Sequence, residues 1–265
     1  MASDTLRYRH ASARREAILE QLKSASFLTI AEAAEALGVS EMTVRRDARR
    51  LHEEGLVEAL RGGLRLPGPD AVPTTEYQRR AQAATTAKEV VGRLAAGEVS
   101  PDDIIAIDAG TTAFQVAGAL PGDFSGTVVT HSIPVLDLLL DRPAVKTIAL
   151  GGDVFRPSRA LVGSSAVDCA RRLRVRTFFL GAAAVDTRGI YASADVERLV
   201  KRTLMDIADR TVLVIDHSKF DVKAPVFLCD WDKLGVVVAD REPPARILQY
   251  LHERHVRLLL PADPA

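Results

Sequence analysis

Apolar positions in the first quarter of the chain recur at helical spacing. Ile18 and Leu22 lie four apart, Ile30, Ala33, Ala34 and Leu37 share one face, and Val44, Ala48 and Leu51 share another. These stripes predict three helices. The first runs from about Ala11 to Lys23. The second opens at Thr29, whose spacing to Glu32 is that of a capping box, and stops at Gly38, the residue type favoured for a left-handed C-cap. Ser40 is a good N-cap for the third. After it, "LVEALRGGLRLP" alternates apolar and polar residues on either side of Arg61-Gly62-Gly63 and reads as a β-hairpin. Proline crowds the next stretch, Pro67 to Thr75, which is suited to a linker and to neither helix nor central strand. From Glu76 a single helical stretch extends to about Ala96. Beyond it the period changes: "IIAID", "GTVVTHS", "KTIALGG", "RTFFLGA", "TVLVID" and "GVVVAD" are short apolar runs separated by helical segments. Such runs predict parallel strands buried on both faces. The expected class is α/β, divided into a headpiece at 1–66, a linker at 67–75 and an α/β domain at 76–265.

Two helices joined by the short turn at Gly38-Val39 outline a helix-turn-helix, and the hairpin that follows supplies a wing. The second of the two helices carries four arginines in six positions, Arg45, Arg46, Arg49 and Arg50. At ~100° per residue, Arg46 and Arg49 project opposite the apolar stripe and Arg45 and Arg50 flank them, while Asp47 lies at the stripe's edge, able to hold Arg50 or a neighbouring helix. A charge run alone suggests only a solvated face. Placed just after an N-cap on a recognition helix, it predicts a major-groove contact made by Ser40, Met42, Thr43, Arg45, Arg46, Arg49 and Arg50, with Arg61 and Arg65 reaching phosphates or the minor groove from the wing.

Composition narrows this. The chain has 265 residues, with 35 basic against 35 acidic, so DNA binding has to rest on a local patch. Cys169 and Cys229 fit no metal or redox spacing, the N-terminus lacks the apolar core of a secretion signal, and no apolar run is long enough for a membrane span. A cytoplasmic protein without metal, cofactor or membrane attachment is expected.

The headpiece resembles that of the DeoR family of bacterial transcriptional regulators: Arg14, Ile18 and Leu22, then Ser40-x-x-Thr43-Val44-Arg45-Arg46-Asp47, with Gly62-Gly63 in the wing. Ala48 departs from it, standing where a larger apolar residue is usual. The resemblance continues through Asp-x-Gly-Thr-Thr (Asp108 to Thr112), Val-Val-Thr-x-Ser (Val128 to Ser132), Gly151-Gly152, Glu197 with Lys201, and Asp-x-Ser-Lys-Phe (Asp216 to Phe220). His131 replaces a common Asn, and Ala184 a common glycine. The resemblance implies a Rossmann-like parallel-sheet domain sharing its fold with ribose-5-phosphate isomerase, and a phosphorylated sugar as inducer.

The residues themselves suggest such a pocket. Gly110 allows close backbone approach, and Thr111 and Thr112 set hydroxyls beside free helix amides, an anion cradle. Ligands of open parallel sheets bind beyond the carboxyl ends of the strands. The loops there carry Asp108; Thr130, His131 and Ser132; Gly151 and Gly152; Gly181 and Asp186; and Lys219, with Lys201 added by the resemblance. Lys219 suits a phosphate or sugar oxygen and Asp108 suits hydroxyl hydrogens. Two other readings stand beside the sensor. An isomerase-type enzyme would need a general base, for which Asp108, Asp186 and Lys201 are available but none is singled out, so no catalytic residue is expected. A protein-interaction module would have kept the fold and lost the ligand. His252 and His255 read as surface helix residues, and the basic run Cys169 to Arg176 as a solvated face or subunit contact. A homo-oligomer, dimer or tetramer, would place paired headpieces on double-stranded operator DNA.

Overall fold

A computed structural model describes residues 11–25, 27–53, 56–60, 62–66 and 75–262. The wing residue Arg61 and residues 67–74 of the expected linker lie outside them. The chain divides into two units, 1–79 and 80–265.

In the first unit, α1 (Ala11–Ser24), α2 (Ile30–Leu37) and α3 (Glu41–Glu53) enclose a small core of Ile18, Leu22, Ala33, Leu37, Val44 and Leu51. The Thr29 Oγ1 accepts from the Glu32 amide at 3.1 Å, while a Glu32 carboxylate oxygen accepts from the Thr29 amide at 2.8 Å, closing the capping box. Gly38 ends α2 at φ 63°, a conformation that costs glycine nothing. The hairpin forms as β2 (Glu58–Leu60) and β3 (Gly63–Arg65). It gains a third strand that the sequence pattern does not announce, β1 (Leu28–Thr29), which pairs Leu28 with Leu64. Two residues are too few to show a period.

The expected helix from Glu76 to Ala96 is instead two, α4 (Glu76–Gln82) and α5 (Thr85–Ala96), broken where Ala84 takes φ 52°. The break turns the carbonyls of Arg80 and Ala83 toward the Lys88 ammonium, which donates to both. Lys88 shares the inward stripe of α5 with Val91, Gly92 and Ala95 and is only 1% exposed. Satisfying that buried cation with helix-end carbonyls accounts for the interruption.

The second unit is doubly wound around a seven-stranded sheet whose neighbouring strands are all parallel. In chain order the strands are β4 (Ile104–Ile107), β5 (Thr127–Thr130), β6 (Lys146–Ala149), β9 (Val175–Gly181), β12 (Ala208–Ile215), β14 (Val236–Ala239) and β15 (Arg257–Leu259). In space they run β15-β14-β12-β9-β4-β5-β6. Period-two alternation sends Ile105, Ile107, Val212 and Val214 to one core, beneath α5, α6 (Thr111–Gly118) and α7 (Ile133–Leu139). Ala106, Leu213 and Ile215 go to the other, beneath α8 (Ser164–Ala170), α9 (Asp195–Asp206) and α10 (Ala245–Glu253). Two corrections concern the edges. β6 is not buried on both faces, since Lys146, Thr147 and Ala149 of this edge strand are exposed. In the C-terminal segment His252 is helical, but His255 sits in a turn at φ 56° and leads into β15.

Two smaller pieces cap the carboxyl end: a ribbon of β7 (Asp153–Phe155) with β8 (Ala160–Val162), and an antiparallel sheet of β10 (Ala184–Asp186), β11 (Gly189–Ala192) and β13 (Val226–Cys229). The chain winds outward from β4 in one direction through β5 and β6, then returns to start again at β9. The strand order therefore reverses between β4 and β9, where a crevice opens in such folds.

Candidate functional site

In the headpiece, Arg45, Arg46, Arg49 and Arg50 are all exposed on α3, and Met42 is 70% exposed at its leading end. Ser40 Oγ accepts from the Thr43 amide at 3.3 Å and pairs with the Thr43 hydroxyl at 2.9 Å, which ties down the first turn. Arg45 is held by Glu41 at 2.9 Å and Arg65, on the central strand β3, by Glu58 of the edge strand β2 at 2.5 Å. Asp47 does not face the arginines of its own helix. It is 3% exposed and accepts two bonds from Arg14 of α1, at 2.7 and 3.3 Å. A groove of about 540 Å³ separates α3 from the hairpin, lined among others by Glu41, Arg45, Arg49, His52 and Leu60.

In the α/β unit, the switch point between β4 and β9 holds Asp108, which is wholly buried. Its Oδ1 accepts from the Ala109 amide and from His131 Nε2, both at 2.9 Å. Its Oδ2 accepts from the Gly181 amide at 2.9 Å and from the Lys201 ammonium. Burial alone would raise the carboxyl pKa; the Lys201 charge and the His131 hydrogen bond outweigh it and hold the group well below the usual carboxylate range. Oδ2 already has two donors, and Oδ1 is enclosed by the Ala109 amide and His131 Nε2, which itself lies 3.1 Å from that amide. Asp108 is thus a structural anion that joins β4, β5, β9 and α9 and is wholly enclosed by them. The hydroxyl-accepting role read from the sequence is not one this geometry offers.

Thr130 and Ser132 are also spoken for. Thr130 donates to the Ile107 carbonyl at 2.6 Å, and Ser132 caps α7. Gly110, Thr111 and Thr112 open α6 immediately after Asp108-Ala109. Gly151 and Gly152 lead into β7 at φ 72° and 107°, and a Cβ at Gly152 would stand 2.2 Å from the Val162 carbonyl oxygen. Asp186 lies apart from this cluster. It is exposed and braces the β10–β11 turn by accepting from the Arg188 and Gly189 amides and the Tyr191 hydroxyl. There it borders a cleft of about 320 Å³ shared with Phe220 and Val222.

A second polar group, largely outside the sequence motifs, gathers at the same end of the sheet. Arg80 donates to the Pro157 carbonyl at 2.7 Å, and its own carbonyl accepts from Lys88 and, at 3.5 Å, from the Thr111 hydroxyl. Burial depresses the Lys88 pKa, Asp216 opposes that, and Lys219 and Arg80 reinforce it, so all four side chains share one electrostatic neighbourhood. Three buried atoms here have no hydrogen-bond partner among the described residues: Asp216 Oδ2, Ser158 Oγ and Arg80 Nε. Lys88 was detectable in the sequence as a lysine within an apolar stripe. Ser158, on the turn between β7 and β8, carries no such signal. Among the described residues no His, Cys, Asp and Glu cluster could hold a metal ion, and no helix is long and apolar enough to cross a membrane.

Comparison with known proteins agrees with both halves of this picture. The model of the DeoR-like helix-turn-helix domain matches residues 14–69, and that of the DeoR C terminal sensor domain matches 83–241. The chain is 33% identical to the uncharacterized HTH-type transcriptional regulator YgbI of Escherichia coli K12, over 93% of this chain and 96% of that protein. It is 29% identical to the glycerol-3-phosphate regulon repressor of the same strain, over 93% and 98%. Ribose 5 phosphate isomerase A from Neisseria gonorrhoeae aligns with a TM-score of 0.39 at 16% identity, over 54% of this chain and 55% of that one, a likeness too slight to bear on function. With a winged helix-turn-helix in front and a doubly wound sensor domain behind, the chain belongs to the DeoR family of transcriptional regulators.

Proposed function

We propose that the protein is a ligand-responsive repressor. Its headpiece binds operator DNA as part of a symmetric cytoplasmic homo-oligomer, and its α/β unit takes a phosphorylated sugar that weakens operator binding. The observation that carries the ligand half is the cluster of open valences at the carboxyl end of the sheet. The buried Lys88 feels the charges of Arg80, Lys219 and Asp216, three cations against one buried carboxylate. A surplus of positive charge beside the Thr111-Thr112 helix start suits a phosphoryl dianion. The unpartnered Asp216 Oδ2 and Ser158 Oγ suit sugar hydroxyls. Asp108, His131 and Lys201 then serve as the rigid floor under the ligand. The wholly buried, strongly ionised Asp108 is a poor general base, which favours sensing over isomerisation. The names of the relatives support the repressor half.

The test is a mobility-shift assay on DNA from the protein's own locus, with a panel containing sn-glycerol 3-phosphate, glucose 6-phosphate and fructose 1-phosphate. One member is expected to weaken binding by about tenfold, corresponding to roughly 1.4 kcal/mol of coupling, and to raise the melting temperature. No effect of any member on either quantity would overturn the sensor reading, and turnover of a sugar phosphate would favour the enzyme.

A further inference from the structure

We infer that Glu41, absent from every motif above, is a specificity-determining residue of the recognition helix that accepts a hydrogen bond from a cytosine in the major groove. The inference rests on the operator-binding reading. Glu41 is the first residue of α3, the end of a recognition helix that meets base edges. It is exposed and lines the groove between α3 and the hairpin together with Arg45 and Arg49. Of the two acids among the first seven residues of α3, Asp47 is buried against Arg14, so Glu41 is the one that meets the DNA.

A carboxylate facing DNA is repelled by the phosphates, and it lowers affinity for every sequence unless a base donor compensates. The major groove offers such donors at cytosine N4 and adenine N6, and acidic side chains characteristically pair with the former. The Glu41–Arg45 contact decides between them. One Glu41 oxygen is held by Arg45 at 2.9 Å, which leaves the other without a donor among the described residues and sets a five-donor guanidinium one helical turn away. That donor–acceptor head matches a cytosine beside a guanine, Glu41 accepting from N4 and Arg45 donating to O6 and N7. The other role open to Glu41 is to stabilise the helix N-terminus as an acidic first-turn residue, and that role is blind to sequence.

The two roles predict opposite signs. The full-length protein and its Glu41→Gln and Glu41→Asp variants are put through selection from a random duplex library. Each is then titrated on the wild-type selected site and on random duplex. Glu41→Gln is expected to bind random DNA at least as tightly as wild type, to bind the selected site about tenfold more weakly, and to lose the cytosine preference at one position of each half-site only. Glu41→Asp, which keeps the charge but withdraws it, should lose the same preference without gaining on random DNA. An unchanged selected sequence, or an equal change in affinity on both DNAs, overturns the inference. A wild-type protein that enriches no sequence refutes the operator reading itself, and this inference with it.

Discussion

Replacing Asp47 by alanine should strongly destabilise the headpiece while leaving the α/β unit intact. Arg14 and Asp47 meet at 2.7 and 3.3 Å with side-chain exposures of 10% and 4%, and Arg15 lies 3.8 Å from the same carboxylate. Unit charges about 4 Å apart at an effective dielectric near 20 attract by about 4 kcal/mol. Deleting one partner of such a pair costs about 3–5 kcal/mol, because the other charge is left buried and uncompensated. A unit of this size has a total stability of about 3–10 kcal/mol. The loss is therefore a large share of the whole, equivalent to a fall of roughly 12–40 °C in the headpiece melting temperature.

The two units can be followed separately. Trp231 is the chain's single tryptophan and is buried in the α/β unit, so its fluorescence is blind to the headpiece. Far-ultraviolet circular dichroism detects both units. Asp47→Ala should split the dichroism melt and leave the tryptophan melt unmoved, with operator binding falling along the early transition. The paired variant Arg14→Leu with Asp47→Leu should recover most of the lost stability, since an apolar pair bears no desolvation penalty. A headpiece shift of less than about 4 °C in Asp47→Ala, or an equal shift in the tryptophan signal, would refute the reasoning.

Other outcomes follow from the α/β unit. The Cys229 thiol is 2% exposed and burial pushes its pKa up to about 12, so the native protein should react with a thiol reagent at Cys169 alone and reveal the second thiol only in denaturant. Asp108 is ionised more readily folded than unfolded. The stability it contributes is complete above about pH 5 and is lost as pH falls through the ordinary carboxylate value near ~3.9 toward the lower folded one; Asp108→Asn should flatten that part of an acid titration read by Trp231. Gly152→Ala places a Cβ against the Val162 carbonyl at a left-handed φ, and should lower the tryptophan melt by about 2–3 kcal/mol without touching the headpiece. Thr29→Ala removes the capping box and should cost the headpiece about 1 kcal/mol by circular dichroism.

What the sequence disclosed and what it withheld divide along the distance over which an interaction acts. The Thr29–Glu32 box, the Gly38 stop and the arginine face of α3 depend on neighbours three or four residues away, and period alone locates them. The partner of Asp47 is 33 residues distant, so the helix wheel could place the acid at the edge of the stripe but could not choose Arg14 over Arg50. The same limit operates more strongly in the α/β unit. Motif residues there were found by type, and type does not say how many donors an oxygen has already taken. Asp108 carries the most legible motif and has the least capacity left, since its partners come from 1, 23, 73 and 93 residues away and only the folded sheet brings them together. Asp186, equally polar and equally placed after a strand, spends itself on a hairpin turn. The free valences belong instead to Arg80, Ser158 and Asp216. Of these only Asp216 lies in a motif, and none is marked by periodicity. A polar residue at a strand end therefore nominates a neighbourhood, and only an account of its hydrogen bonds separates the residues that build the floor from those left to face a ligand. Arg80 sits in the last turn of α4, beside the chain segment that leads to the headpiece, so under the sensor function proposed above a ligand at its open Nε would act on the element that connects the two units.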